Sequence, residues 1–100
     1  MSLTAEQVAR LESKALSGDN EAAEALAVFY GNQGQKPEQM RWLELAATRG
    51  DCNALVGVLE GKYSADEPQS QIVKWEQLGD SLRCRYDRKL IRSFRPSTEN

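Results

Sequence analysis

The chain contains no histidine, only two cysteines and three prolines, and no long run of apolar residues. Without histidine it lacks the commonest general base, the commonest metal ligand and any nucleophile that histidine activates. Its apolar runs are far shorter than the roughly 20 residues that a membrane-spanning helix needs. Chemistry by paired carboxylates, lysine or tyrosine remains possible, but no spacing singles it out, so we expect no enzyme activity, no cofactor, no metal site and no membrane insertion.

The two cysteines, Cys52 and Cys84, are too far apart in sequence for a redox CxxC pair, and no second pair completes a zinc site. The N-terminus, Met1 to Gln7, lacks a basic start followed by an apolar block, so we predict no secretory signal. We therefore predict reduced, partly buried thiols in a cytoplasmic protein. The alternative is a structural disulfide, which a periplasmic location after removal of a signal peptide would favour.

Charge is unevenly distributed along the 100 residues, although the formal net charge is only −2. Residues 1–80 carry seven basic and thirteen acidic side chains, whereas residues 81–100 carry six basic and two acidic ones. This polarity could steer a charged partner, or it could be the ordinary solvated surface of helices. The composition, 40% hydrophobic and 28% charged, is typical of one globular domain.

Helix start and stop signals are clear in the first part of the chain. Thr4 to Gln7 has the pattern of a capping box, and Gly18 is placed to end the first helix. Asp19 or Asn20 then caps the second helix. Apolar residues at helical spacing follow each start, so two helices are predicted before residue 34.

The same signals predict a third and a fourth helix. Pro37 suits the first turn of the third helix, because its missing amide donor would be unpaired there anyway. Gly50 closes that helix, and Asp51 caps the fourth. Gly57 lies inside the fourth helix, where glycine is unfavourable. Its presence there indicates that a neighbouring helix packs closely against it.

The C-terminal third is predicted as a loop, Gly61–Pro68, followed by a long helix. Beyond the loop, apolar residues recur every three or four positions to about Phe94. A break at Gly79 is the alternative, because its Gly–Asp pair repeats those that end the first and third helices. Since Gly79 matches Ala46 inside a helix, we favour a continuous helix and then a disordered tail over residues 96–100.

Two stretches of the chain repeat each other at a spacing of 33 residues. A repeat of this length, with aromatic and small residues at fixed offsets, is typical of stacked helical hairpins, and no alternating pattern predicts a strand. Such arrays generally form binding surfaces rather than catalytic pockets. The matching pairs are Leu26 and Leu59, Tyr30 and Tyr63, and Trp42 and Trp75.

The first copy, with its small residues and tryptophan between Ala22 and Ala54, resembles the Sel1-like repeat, a relative of the tetratricopeptide repeat. It covers about residues 20–50, and a degenerate second copy covers about residues 52–84. The resemblance implies an all-α protein of about five or six helices, a right-handed stack of antiparallel helical hairpins (an α-solenoid). The predicted single domain spans residues 1–95, and its first helix spans residues 4–17.

The resemblance also implies that the repeated small and aromatic residues build the hairpins and do not touch a ligand. The spacing of these residues independently predicts that they are core, with the indoles filling repeated holes between helices. The structural residues are Ala22, Leu26, Tyr30, Trp42, Ala46, Ala47 and Gly50 in the first copy, and Leu59, Tyr63, Trp75 and Gly79 in the second.

Two surfaces are candidates for partner binding. In helical hairpin arrays the first helix of each pair often lines the concave face, and Phe29 there is equally compatible with a core position. A second surface is offered by the C-terminal basic cluster, because several of its cations share one helical face. This cluster consists of Arg83, Arg85, Arg88, Lys89, Arg92 and Arg95. The candidate residues are Glu24, Val28, Phe29, Val56 and Glu60 on the first surface, and Arg85, Arg88 and Arg92 on the second.

The leading hypothesis is a small bacterial Sel1-like adaptor that binds another protein and is not an enzyme. The alternative is an immunity protein that binds and neutralises a bacterial toxin. The third hypothesis is a nucleic-acid-binding regulator that uses the basic C-terminal helix. The net negative charge of the domain makes it the weakest of the three, because nucleic acids are polyanions. Self-association is a further possibility, since the end units of a short array expose apolar surface.

Overall fold

All regular secondary structure in the described chain is helical. The structure, a computed structural model, describes residues 3–96, and no strand occurs within that range. Connections of three residues join the first four helices, a length that reverses the chain and forms antiparallel helical hairpins. The helices are α1 (Ala5–Leu16), α2 (Asn20–Asn32), α3 (Lys36–Thr48), α4 (Cys52–Ser64), α5 (Gln69–Leu82) and α6 (Arg88–Arg92).

Each helix from α1 to α4 packs against the next one along the chain, and α6 returns to pack against α4. The apolar side chains at these contacts form one continuous core, in which Trp42 and Tyr63 are the largest fully buried residues. The predicted all-α stack of five or six helices is therefore confirmed. Within residues 3–96, no helix combines the length and the apolar character that crossing a membrane requires.

The first five helices all end in the same way. At the end of α1, the Gly18 N–H donates to the Ala15 carbonyl and the Asp19 N–H donates to the Lys14 carbonyl, which is the Schellman arrangement. The same two bonds close α2, α3, α4 and α5. The residue at each turn has a positive φ, and these residues are Gly18, Gly34, Gly50, Asp66 and Arg83.

The repeat has two spacings in the structure. The caps Asp19 and Asp51 are 32 residues apart, and α2 and α4 begin and end at the same interval. The indoles of α3 and α5 are 33 residues apart. As a result, Tyr30 and Tyr63 do not hold equivalent helical positions, and Tyr63 is buried whereas Tyr30 is half-buried.

The prediction of one helix running to Phe94 is wrong, because α5 ends at Leu82 and α6 is a separate short helix. The break is not at Gly79 either: this residue lies inside α5, as its match to Ala46 predicted. A Cβ built on Gly79 would lie 3.0 Å from Leu55 Cδ2, so the glycine permits close helix packing. Arg83 ends the helix instead, in the left-handed conformation that usually selects glycine.

The predicted loop from Gly61 to Pro68 is also shorter than expected. Helix α4 continues through Ser64, and only residues 65–68 connect it to α5. Pro68 stands at the N-cap of α5, as its missing donor suggests. Of the predicted tail, residues 97–100 lie outside the described residues, and Pro96 follows the last turn without helical structure.

The prediction of reduced cysteines is contradicted by the structure. Cys52 and Cys84 form a disulfide, and their Cα atoms are 5.4 Å apart. Cys52 is the first residue of α4 and Cys84 is the second residue beyond α5, so the bond closes the open end of the α4–α5 hairpin. The separation of the two cysteines in sequence does rule out a CxxC motif. It does not rule out a disulfide, because residues far apart in sequence lie close together in space when their helices are antiparallel.

Candidate protein-binding surfaces

One side of α2 and the start of α4 form a surface that we call the acidic face, defined by Glu21, Glu24, Val28 and Asp51. Its α2 members follow the three- and four-residue spacing of one helical side. Asp51 caps α4 by accepting a hydrogen bond from the Ala54 N–H at 3.2 Å. Helix α2 contains no basic residue, so nothing on that helix neutralises these carboxylates.

Glu24 and Asp51 bring two carboxylates together across the acidic face. Burial of Glu24, together with its hydrogen bond to Asp51 and the charge of that neighbour, raises the pKa of Glu24. The shift has this sign because both burial and a like charge oppose ionisation. A cation supplied from outside would stabilise the pair, since it would offset the repulsion.

Val28 gives the acidic face an apolar contact. It is 61% exposed, the largest exposed fraction among the large hydrophobic side chains of the described chain. Its neighbour Phe29, which the sequence left between core and surface, is half-buried. The Phe29 ring packs edge-on against Tyr30, with ring centroids 5.1 Å apart. Val28 is therefore the predicted α2 contact most available to a partner.

The candidate contacts on α4 lie elsewhere. Val56 and Glu60 are both half-buried. Glu60 borders an open groove of about 550 Å³ between α3 and α4, whose rim is completed by Phe94 from the C-terminal segment. Gly57, which also lines the groove, allows the close approach predicted for it, because a Cβ there would lie 3.2 Å from a terminal carbon of Leu43.

The only basic residue of α4, Lys62, is engaged inside the protein. Its side chain is buried, and its Nζ atom lies 2.9 Å from a Glu44 oxygen and 3.6 Å from a Glu67 oxygen. The same nitrogen lies 5.8 Å from the centroid of the Trp75 ring. Neither α2 nor α4 therefore exposes a positive charge, and the exposed charge of both helices is acidic.

The C-terminal basic cluster is not the free surface that the sequence predicted. Arg88 pairs with Asp80 on α5. Arg92 lies 3.4 Å from the buried Glu76. The hydrogen bond that Arg92 donates to the Tyr63 hydroxyl oxygen, together with the charge of Glu76, raises the pKa of Arg92. Of the three candidate arginines, only Arg85 has no ion pair among the described residues.

Arg95, the last cation of that cluster, also binds within the protein. It lies 2.7 Å from Asp66, donates to the Glu67 carbonyl at 2.9 Å, and stacks 5.0 Å from the centroid of the Tyr63 ring. These contacts join the end of the chain to the α4–α5 connection. The pairs cross between helices, so no pattern along the sequence reveals them.

The residues that the repeat assigned to the core are mostly buried. Trp42 and Trp75 are 2% and 6% exposed, and Gly50 is exposed because it forms the turn after α3. Tyr30 is half-buried. The remaining members of the set are all buried: Ala22, Leu26, Ala46, Ala47, Leu59, Tyr63 and Gly79.

Within residues 3–96, no cluster of three or more histidine, cysteine, aspartate or glutamate side chains could hold a metal ion. Buried Glu76 accepts hydrogen bonds from Tyr63 and Gln69 rather than facing an open cavity. Sequence reasoning missed this polar cluster, because the three residues come from two helices. Comparison of the chain with protein-family models, with curated proteins and with solved structures found no match.

Proposed function

We propose that this protein is a non-enzymatic protein-binding module of the Sel1-like type, and that it binds a basic partner through the acidic face. The observation that carries the proposal is the pair of adjacent carboxylates, Glu24 and Asp51, beside the exposed Val28. A lysine or arginine of the partner would neutralise the carboxylates, and an apolar side chain beside it would cover Val28. Such a contact joins charge complementarity with burial of apolar area.

A second candidate, an immunity protein that neutralises a toxin, uses the same face. This face suits a toxin that acts on nucleic acids. Such an enzyme carries a basic active-site surface, because its substrate is a polyanion. The carboxylates at residues 24 and 51 would compete with such a substrate. This version differs from the adaptor only in the outcome for the partner, whose activity it would block.

The basic C-terminal segment gives little support to a nucleic-acid function. Arg88, Arg92 and Arg95 are paired with carboxylates of α5 and of the α4–α5 connection. Each would have to leave its partner before it could bind a phosphate. We therefore place this hypothesis third.

The disulfide indicates the kind of cellular compartment in which the protein works. Disulfides persist in oxidising compartments and are rare in the cytoplasm of most organisms. The bond between Cys52 and Cys84 therefore supports the periplasmic alternative over the cytoplasmic one.

The proposal is tested by affinity capture from the source organism with the wild-type protein and two charge variants. We expect Glu24→Lys to lose a partner that the wild type captures, because it replaces attraction by repulsion. Lys89→Glu, a charge reversal at an exposed position of α6, should keep that partner. Circular dichroism shows that each variant is folded.

A partner lost with Lys89→Glu but kept with Glu24→Lys and with Val28→Asp would overturn the use of the acidic face. If the captured protein is a toxin or an enzyme, its activity is then measured with and without the purified module. Inhibition that requires Glu24 supports the immunity version, whereas binding without inhibition supports the adaptor.

A further inference from the structure

A second open groove lies on the other set of helices, α1, α3 and α5. It has a volume of about 440 Å³, and we call it the indole groove. Its position on α1, α3 and α5 separates it from the acidic face, which belongs to α2 and the start of α4. The residues that matter here are Leu16, Arg41, Trp42, Leu45, Lys74 and Trp75.

The groove is built from a repeated pair of a cation and an indole. The Arg41 guanidinium lies 5.3 Å from the centroid of the Trp42 ring, and the Lys74 ammonium lies 5.2 Å from that of Trp75. The second pair follows the first at a spacing of 33 residues. Tryptophan is the aromatic side chain that attracts a cation most strongly, so each indole helps to hold its cation at the groove.

The charge of the groove is positive. Glu44, the one carboxylate in its lining, is already neutralised by Lys62 at 2.9 Å. Among the described residues, the one carboxylate that Arg41 contacts is Glu38 at 3.8 Å, and this exposed pair contributes little in water. Lys74 has no salt bridge within residues 3–96. Both cations therefore remain available to an external anion.

The groove also offers apolar surface. Leu16, the last residue of α1, is 60% exposed, and Leu45 is half-buried. Arg49, which follows α3, donates hydrogen bonds to the carbonyls of Ala15 and Leu16 and so holds the end of α1 in place. The exposed leucine is thus a fixed feature of the groove rather than a frayed helix end.

We propose that the indole groove binds an acidic segment of another protein, whose carboxylates pair with Arg41 and Lys74 and whose aliphatic side chains contact Leu16 and Leu45. A nucleic acid is the less suitable polyanion, because both indole rings are buried and leave no ring face on which a base could stack. The inference goes beyond the proposed function, because it adds a second binding surface of opposite charge.

The test uses the full chain labelled with ¹⁵N and a short, capped peptide of leucine and glutamate. The chain has only two tryptophans, so two indole N–H signals report directly on the groove. We expect both signals to shift during the titration. A matched peptide of leucine and lysine should leave them unchanged.

Charge reversal then locates the binding. Arg41→Glu and Lys74→Glu should each weaken binding of the acidic peptide by about tenfold, the effect of losing one close charge pair. Lys89→Glu on α6 removes an exposed cation outside the groove and should leave the affinity unchanged.

Three results would overturn the proposal: no shift of either indole signal, unchanged affinity in both groove variants, or equal shifts with a thymidine oligonucleotide. None of them bears on the acidic face, whose own test is the loss of a captured partner with Glu24→Lys. Failure of one surface is therefore distinguishable from failure of the other.

Discussion

The Tyr63 hydroxyl donates a hydrogen bond of 2.8 Å to the carboxylate of Glu76, and both side chains are buried. Gln69 donates to the same carboxylate at 3.0 Å, and Arg92 approaches it from α6. The cluster therefore connects α4, α5 and α6 through one buried charge. A buried carboxylate is tolerated only with such partners, so the cluster fixes how these three helices sit together.

Tyr63→Phe should destabilise the protein by about 1–2 kcal/mol, because it removes one donor from a buried carboxylate. Tyr86→Phe is the matched control. The Tyr86 hydroxyl is buried with no hydrogen-bond partner among the described residues, so its loss should cost almost nothing. Urea unfolding of both variants measures the difference, and equal losses would show that the hydrogen bond to Glu76 contributes little.

Arg83→Gly should stabilise the protein by about 0.5–1 kcal/mol, because Arg83 holds a φ of 58° that glycine adopts without strain. Gly50→Ala is the reverse change at the matching turn, where φ is 98°, and it should destabilise by a similar or larger amount. Thermal melting of both variants tests the pair. Destabilisation by Arg83→Gly would mean that a contact of the arginine side chain stabilises the protein by more than the backbone strain at Arg83 destabilises it.

Removing the disulfide should destabilise the protein by about 4 kcal/mol, the chain-entropy effect of a bond across 32 residues. The measurement is the free energy of unfolding of wild type and of the Cys52→Ser, Cys84→Ser double variant. A reductant should lower the stability of the wild type to that of the variant and leave the variant unchanged. Free thiols in the folded wild-type protein, isolated without reductant, would contradict the bond.

Glu24→Gln should stabilise the protein near pH 7. Burial and Asp51 raise the pKa of Glu24 in the folded state, so the folded protein binds this proton more tightly than the unfolded chain does. Stability is therefore gained as pH falls through the raised pKa and lost as pH rises above it. The advantage of the variant should shrink toward about pH 4, where the wild-type carboxyl is protonated as well.

Urea titrations at the two pH values measure this effect. Glu60→Gln is the control for loss of a negative charge alone, since the charge of Glu60 does not contribute to the shift at Glu24. An advantage of Glu24→Gln that is the same at both pH values would show that the two carboxylates do not repel each other.

The sequence predicts the helices well where their ends carry specific residues. The capping box at Thr4, the caps at Asp19 and Asp51, and the turns at Gly18 and Gly50 all lie where their chemistry places them. These signals are local, since each depends on a backbone group only a few residues away.

The errors have a common physical cause. The turn at Arg83 uses a left-handed conformation without glycine, so composition gives no sign of it. The disulfide, the buried Lys62 and the ion pairs of α6 each depend on two helices meeting in space. The indole groove was missed for a related reason: the sequence identifies Trp42 and Trp75 as core, which they are, but not that their edges line a cavity.

The short helix α6 has a consequence for the length of the array. It packs against α4, its own Ile91 is buried, and Arg95 beyond it pairs with Asp66 in the α4–α5 connection. Helix α6 thus occupies the C-terminal side of the stack, where its own Leu90 remains 55% exposed. An engineered extension with more repeats would have to displace α6 or be added before α1.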